Sequence, residues 1–181
     1  MGTTKDAHKA LAFYSHACDQ NAPAGCAKAA TMLVTGDGVA ADLPKGYTLL
    51  VKACELNDSR SCNNAGAAWS EGTNGATAVD HVKARAFYEK ACKLENGLGC
   101  FNLGNVFRLG EGVPVNLQAA FDNFKRSCGF EEPKGCTELA ILYYEGTAVP
   151  QNIEAAKKLL EKSCSLGSKP ACQNLEIIQR Q

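Results

Sequence analysis

Ten cysteines are the residues in this sequence best suited to chemistry, and they follow a rule. They fall at Cys18 and Cys26, Cys54 and Cys62, Cys92 and Cys100, Cys128 and Cys136, Cys164 and Cys172. Every pair encloses seven residues, and none is left over. Three chemistries could use clustered cysteines. Structural zinc sites need C-x2-4-C knuckles, usually completed by His or more Cys. Redox-active and haem-attachment motifs need C-x-x-C. The chain has no C-x-x-C, and its three histidines, His8, His16 and His81, are scattered. Neither a metal nor a cofactor is expected. Cysteine count alone does not fix a disulfide pairing, but a constant C-x7-C spacing selects the local one. Five such bridges place the chain in an oxidising compartment: a periplasm, the cell exterior or another disulfide-forming lumen.

The elements that hold these cysteines repeat with them. Successive pairs begin 36, 38, 36 and 36 residues apart, and a period in the thirties marks a helical repeat array. Three residues after each second Cys stand Ala29, Ala65, Leu103 and Leu139; four after, Ala30, Gly66, Gly104 and Ala140; seven after, Leu33, Trp69, Phe107 and Tyr143. This spacing makes one apolar helical face. Ten after stands Gly36, Gly72, Gly110 or Gly146, a helix stop. This segment is helix A. Before each first Cys, small residues at eight and one (Ala120 and Ser127, for example) flank a large one at four: Tyr14, Leu50, Tyr88, Phe124 or Leu160. This is helix B. A cation or His two before that Cys (His16, Lys52, Lys90, Arg126, Lys162) suits the negative end of its own helix; a functional basic stripe is the other reading. The seven residues between paired cysteines are turn-like, so each bridge staples helix B to the next helix A.

The 181 residues fit one repeat domain. Nineteen Lys and Arg balance nineteen Asp and Glu, which argues against a nucleic-acid or membrane-surface binder. No apolar run reaches the length of a membrane span. With 45% hydrophobic residues, disorder is excluded. The expected divisions are a partial repeat at 3–25, repeats at 26–61, 62–99, 100–135 and 136–171, and a partial terminal repeat at 172–181. Met1-Gly2 reads as an added start, with a signal segment removed. The 38-residue period puts two extra residues into the loop Gly72-Thr-Asn-Gly-Ala-Thr-Ala.

Residues 100–128, CFNLGNVFRLGEGVPVNLQAAFDNFKRSC, carry Leu-Gly in helix A, Gly-x-Gly-Val in the loop and Ala in helix B. The chain resembles the Sel1-like repeats, relatives of the tetratricopeptide repeat. With C-x7-C added, it is similar to the cysteine-rich Sel1-like subgroup described from Helicobacter. The resemblance implies an all-α fold: an α/α superhelical solenoid of about ten helices, one disulfide per repeat, with A helices on the concave face. It also implies candidate activities. Members of that subgroup have been described as penicillin-binding or as weak β-lactamases, so a cell-wall fragment or β-lactam is one partner class. A periplasmic immunity role against a secreted effector is another. A Sel1-repeat assembly factor of the mitochondrial intermembrane space is similar too, with less uniform cysteine spacing. No nucleophile motif accompanies these resemblances: G-x-S-x-G, S-x-x-K, K-T-G and H-E-x-x-H are all missing from the sequence.

A binding surface is the reading the residues favour: a protein or extended peptide held on the concave face. Two after each second Cys stand Lys28, Asn64, Asn102, Glu138 and Asn174, with Asn63 and Asn105 nearby. Amides both donate and accept hydrogen bonds, which suits a peptide backbone; capping the start of helix A is the plainer role for the same residues. Helix A positions expected to face outward are Thr31, Phe101, Arg108, Ile141 and Tyr144.

Overall fold

The computed structural model describes residues 4–73 and 77–179. Met1-Gly2, and the tip of the loop after Gly72 at 74–76, lie outside the described residues. Ten helices are described: α1 (Thr4–Asp19), α2 (Pro23–Thr35), α3 (Leu43–Glu55), α4 (Ser59–Glu71), α5 (His81–Lys93), α6 (Gly97–Leu109), α7 (Leu117–Gly129), α8 (Pro133–Glu145), α9 (Ile153–Ser165) and α10 (Lys169–Gln179). Even-numbered helices are the A helices and odd-numbered ones the B helices. The fold is all-α, built of helical hairpins in sequence order. It divides into two compact units, residues 1–94 and 95–181.

Local chemistry sets each helix end. Six helices begin on a side chain that accepts from a backbone N–H of the first turn, within 3.1 Å: Asp42, Asp58, Asp80, Asn96, Asn116 and Asn152. Such caps satisfy donors the helix cannot. At Asp80, the Lys83 backbone N–H donates to the carboxylate and lowers its pKa. A helices α2, α6 and α8 end on left-handed Gly36, Gly110 and Gly146. Gly72 departs from this pattern, with φ 70° and ψ 163°. The longer loop there leaves in another direction and is pinned by Thr77 Oγ1 donating to the Ala68 carbonyl at 2.8 Å.

The B-to-A turns share one geometry. Three residues after the first Cys, the chain is left-handed at Asn21, Asn57, Glu95, Glu131 and Gly167. The next N–H closes a six-residue ring onto the helix: Ala22 to Ala17, Asp58 to Ala53, Glu132 to Ser127 and Ser168 to Ser163, all at 2.9–3.1 Å. This is the Schellman ending of a helix. It returns the chain so that paired cysteines meet, with Cα–Cα distances of 4.5, 4.5, 4.5 and 4.8 Å for Cys18–Cys26, Cys54–Cys62, Cys128–Cys136 and Cys164–Cys172. Cys92 and Cys100 are also disulfide-bonded, and no described cysteine is free.

Burial follows the repeat register. Ala29, Ala65, Leu103 and Leu139 are buried, as are Leu50, Tyr88, Phe124 and Leu160. Small residues matter where A meets B. A Cβ on Gly66 would stand 2.6 Å from the Tyr88 ring, and one on Gly104 would stand 2.5 Å from Phe124. In the second unit, serines replace the alanine before the first Cys and add polar ties. Ser127 Oγ donates to the Gly97 carbonyl at 2.8 Å, and Ser163 Oγ to Pro133 at 2.7 Å.

Two of the cations that stand two before a first Cys, Lys90 and Lys162, reach a neighbouring helix. Lys90 Nζ donates to the carbonyl of Glu55 at 3.3 Å, and Lys162 Nζ to that of Cys128 at 2.9 Å. Each lysine thus caps the carbonyl end of the preceding B helix, where a positive charge is favoured.

Candidate functional site

Each unit carries an open groove in the same register, and the repeat dictates its position. Neighbouring A helices lie side by side, and the B helix between them supplies the floor. In the first unit the groove runs between α2 and α4. Thr31, Val34 and Thr35 form one wall, and Asn64, Ala67, Ala68 and Glu71 the other; Leu50 and Tyr47 of α3 form the floor. Its volume is about 280 Å³. It continues toward the helix starts through a second hollow of about 240 Å³, where Lys28, Asp58, Arg60 and Ser61 join Thr31 and Asn64. In the second unit the groove lies between α8 and α10. Ile141, Tyr144 and Glu145 face Asn174, Ile177 and Ile178 over Leu160 of α9, enclosing about 300 Å³.

The two grooves differ in chemistry. The first carries Thr31, Thr35, Asn64 and Glu71 among the apolar residues of its walls. Its Thr31 hydroxyl donates to its own helix, at the Ala27 carbonyl 2.9 Å away, so it offers a guest an acceptor. The second is apolar, and its Ile177 is 58% exposed.

The sequence-selected residues divide accordingly. Lys28, Thr31 and Asn64 come together in the first groove, and Ile141 and Tyr144 in the second. Asn63 turns inward; it is buried, and its Nδ2 donates to Asn64 Oδ1 at 3.4 Å. Phe101 is half-buried: its ring packs 5.9 Å from that of Phe124, with Lys134 Nζ 5.7 Å from its centroid. Asn105 and Arg108 engage each other, with the guanidinium donating to Asn105 Oδ1 at 2.9 and 3.2 Å. Asn102 and Glu138 are half-buried and line neither groove. The sequence reading missed Ile177 and the floor residues Tyr47, Leu50 and Leu160. The signal was present: Thr31, Ala67, Ile141 and Ile177 all stand five after a second Cys. Among the described residues, no group of three or more His, Cys, Asp or Glu is placed to hold a metal ion.

The model of the Sel1 repeat matches residues 1–21, 23–58, 59–96, 97–128 and 133–168. The chain belongs to the Sel1 repeat family. No curated protein matches it in sequence. Among solved structures, the fold is similar to a Sel1 repeat protein from Oxalobacter formigenes, with 22% identity and a TM-score of 0.88, covering 94% of this chain and 69% of that one. A protective antigen of uropathogenic Escherichia coli with this fold is 26% identical, with a TM-score of 0.86 over 93% of this chain and 36% of the antigen. Cysteine-rich protein B of Helicobacter pylori is 33% identical, with a TM-score of 0.59, covering 74% of this chain and 98% of that one. The disulfides of this Sel1 repeat chain fit an oxidising, extracytoplasmic environment, and no helix among the described residues is long and apolar enough to cross a membrane.

Proposed function

We propose that this chain is a periplasmic or secreted binding scaffold that holds a protein or peptide segment along its A helices. One observation carries the reading. A groove recurs at the same register in both units, and Thr31 and Thr35 on one wall of the first are replaced by Ile141 and Glu145 in the second, with Ala67 replaced by Ile177 on the other. Thr31 and Asn64 offer hydrogen-bonding groups suited to a peptide backbone. The groove of Ile141, Tyr144 and Ile177 offers an apolar seat for a bulky side chain. Disulfides at the turns hold the helices in place before a guest arrives, so little entropy is lost on binding.

The test is capture from a periplasmic or secreted extract with the oxidised chain as bait, beside Asn64→Ala and Ile177→Glu. Both substitutions lie on exposed or half-buried groove walls and should leave the far-UV circular dichroism unchanged. A partner retained by the wild type and weakened about tenfold or more by either variant supports the reading. A partner held equally by all three proteins removes the grooves from the site.

A further inference from the structure

The groove between α2 and α4 carries opposite charge at its two ends. At the helix starts, Lys28 of α2 and Arg60 of α4 line one hollow from its two walls. At the other end Glu71, the last residue of α4, joins the lining beside Thr73. Arg60, Asn64, Ala67 and Glu71 are four, three and four residues apart, so they form one stripe of α4. Lys28, Arg60 and Glu71 are exposed, and none of them forms an ion pair or hydrogen bond with a described residue.

Helix α4 does not account for these charges. A helix carries partial positive charge at its N-terminal end and partial negative charge at its C-terminal end. Arg60 stands second in α4 and Glu71 last, so each meets the end of its own sign. Asp58 also lines the basic hollow. Its carboxylate accepts the Ser61 N–H at 2.7 Å as the cap of α4, and two cations stand against its single charge.

We propose, resting on the peptide-binding function above, that the guest of this groove is an extended segment with an acidic side chain near one end and a basic side chain near the other. The acidic one lies between Lys28 and Arg60, and the basic one at Glu71. The helix sets their spacing. Eleven steps from Arg60 to Glu71 rise about 16 Å, which an extended chain covers in about five residues. Between the two ends, Thr31 and Asn64 meet the guest's backbone, and Tyr47 and Leu50 lie beneath it. Exposed ion pairs are individually weak, so the charges act as a selector: each end adds up to about fivefold. The selection shrinks in 1 M salt, where charges are screened beyond about 3 Å.

Pools of acetylated, amidated octapeptides test this, with two positions five apart held fixed and the others varied among Ala, Ser, Leu and Tyr. One pool carries Glu and Lys at the fixed positions, in both orders. The others carry two Glu, two Lys or two Gln. Peptides retained by the immobilised, oxidised chain are counted by mass spectrometry. The wild type should retain the mixed pool about three- to tenfold over the Gln pool, and above either like-charged pool. Lys28→Glu with Arg60→Glu should turn the preference to the pool with two Lys. Glu71→Lys should turn it to the pool with two Glu. An unfolded variant would lose a preference without gaining a new one, so the switch reports the groove itself. A wild type that holds the Gln pool as well as the mixed pool overturns the charge selection and leaves peptide binding standing. Retention of no pool overturns both. Variants that keep the wild-type preference also overturn the proposal.

Discussion

Removing the bridge between Cys128 and Cys136 should loosen one hairpin and leave distant ones intact. The two cysteines are eight apart in sequence, and the loop-closure relation gives such a short ring about 2.5 kcal/mol of stabilisation through the unfolded chain. Both sulfurs are buried, at 4% and 0% exposure, so Cys128→Ala with Cys136→Ala also leaves a small void costing roughly 1 kcal/mol. Changing both residues avoids an unpaired thiol. Repeats touch only their neighbours, so stability is close to a sum of local terms. The loss should therefore appear where it is made. Hydrogen exchange followed by mass spectrometry is the assay. Amides of α7 and α8 should exchange roughly three-hundredfold or more faster, the rate equivalent of about 3.5 kcal/mol when exchange follows local opening. Those of α2 and α3 should keep the wild-type rate. Unchanged protection in α7 and α8 would refute the staple argument. A uniform loss across the chain would refute its locality, since it would show the repeats opening together.

Two further predictions test the packing and the turns. Gly104→Ala places a methyl 2.5 Å from the buried Phe124 ring; the crowding costs about 1–3 kcal/mol, partly offset by about 1 kcal/mol of helix propensity, so a lowered urea midpoint is expected, and Phe124→Leu in the same chain should recover most of it. Glu131→Gly relieves a non-glycine residue held at φ 59°; the strain is about 1–2 kcal/mol, reduced by glycine's greater unfolded freedom, so a rise of up to about 1 kcal/mol is expected, and a lowered midpoint would show that Glu131 makes a compensating contact.

The repeat skeleton was legible because it depends on offsets, and offsets survive in a sequence. The cysteine spacing, the small residues that admit Tyr88 and Phe124, and the glycine stops were all visible as columns. What escaped depends on geometry between elements. Lys90 and Lys162 looked like helix-end charges for their own helices, because the carbonyls they meet lie 35 and 34 residues earlier in the chain. Phe101 looked outward-facing because it stands off the packed stripe, but a ring as large as Phe124 reaches past that stripe to meet it. The grooves were half legible. Thr31, Asn64, Ile141 and Tyr144 stand at readable positions, while the floors from Leu50 and Leu160 depend on how far apart neighbouring A helices sit. Gly72 kept the expected residue but not the expected conformation, its ψ of 163° departing from the left-handed value of the other stops.

Packing and groove lining use different registers of the same helix, and this separation explains the composition. Positions three, four and seven after the second Cys face the B helices, where a single methyl on Gly104 would collide with Phe124. They are confined to small residues or to side chains that fill the remaining gap. Positions five and eight supply the groove walls at Thr31, Val34, Ile141 and Tyr144, and there the residue type ranges from polar to aromatic without disturbing a buried contact. The disulfides make this division workable. With alanine or glycine at so many packed positions, the apolar area each hairpin buries is small, and a covalent tie at every turn stabilises the stack without demanding larger core residues. Groove residues can then differ from repeat to repeat while the helices behind them hold their spacing.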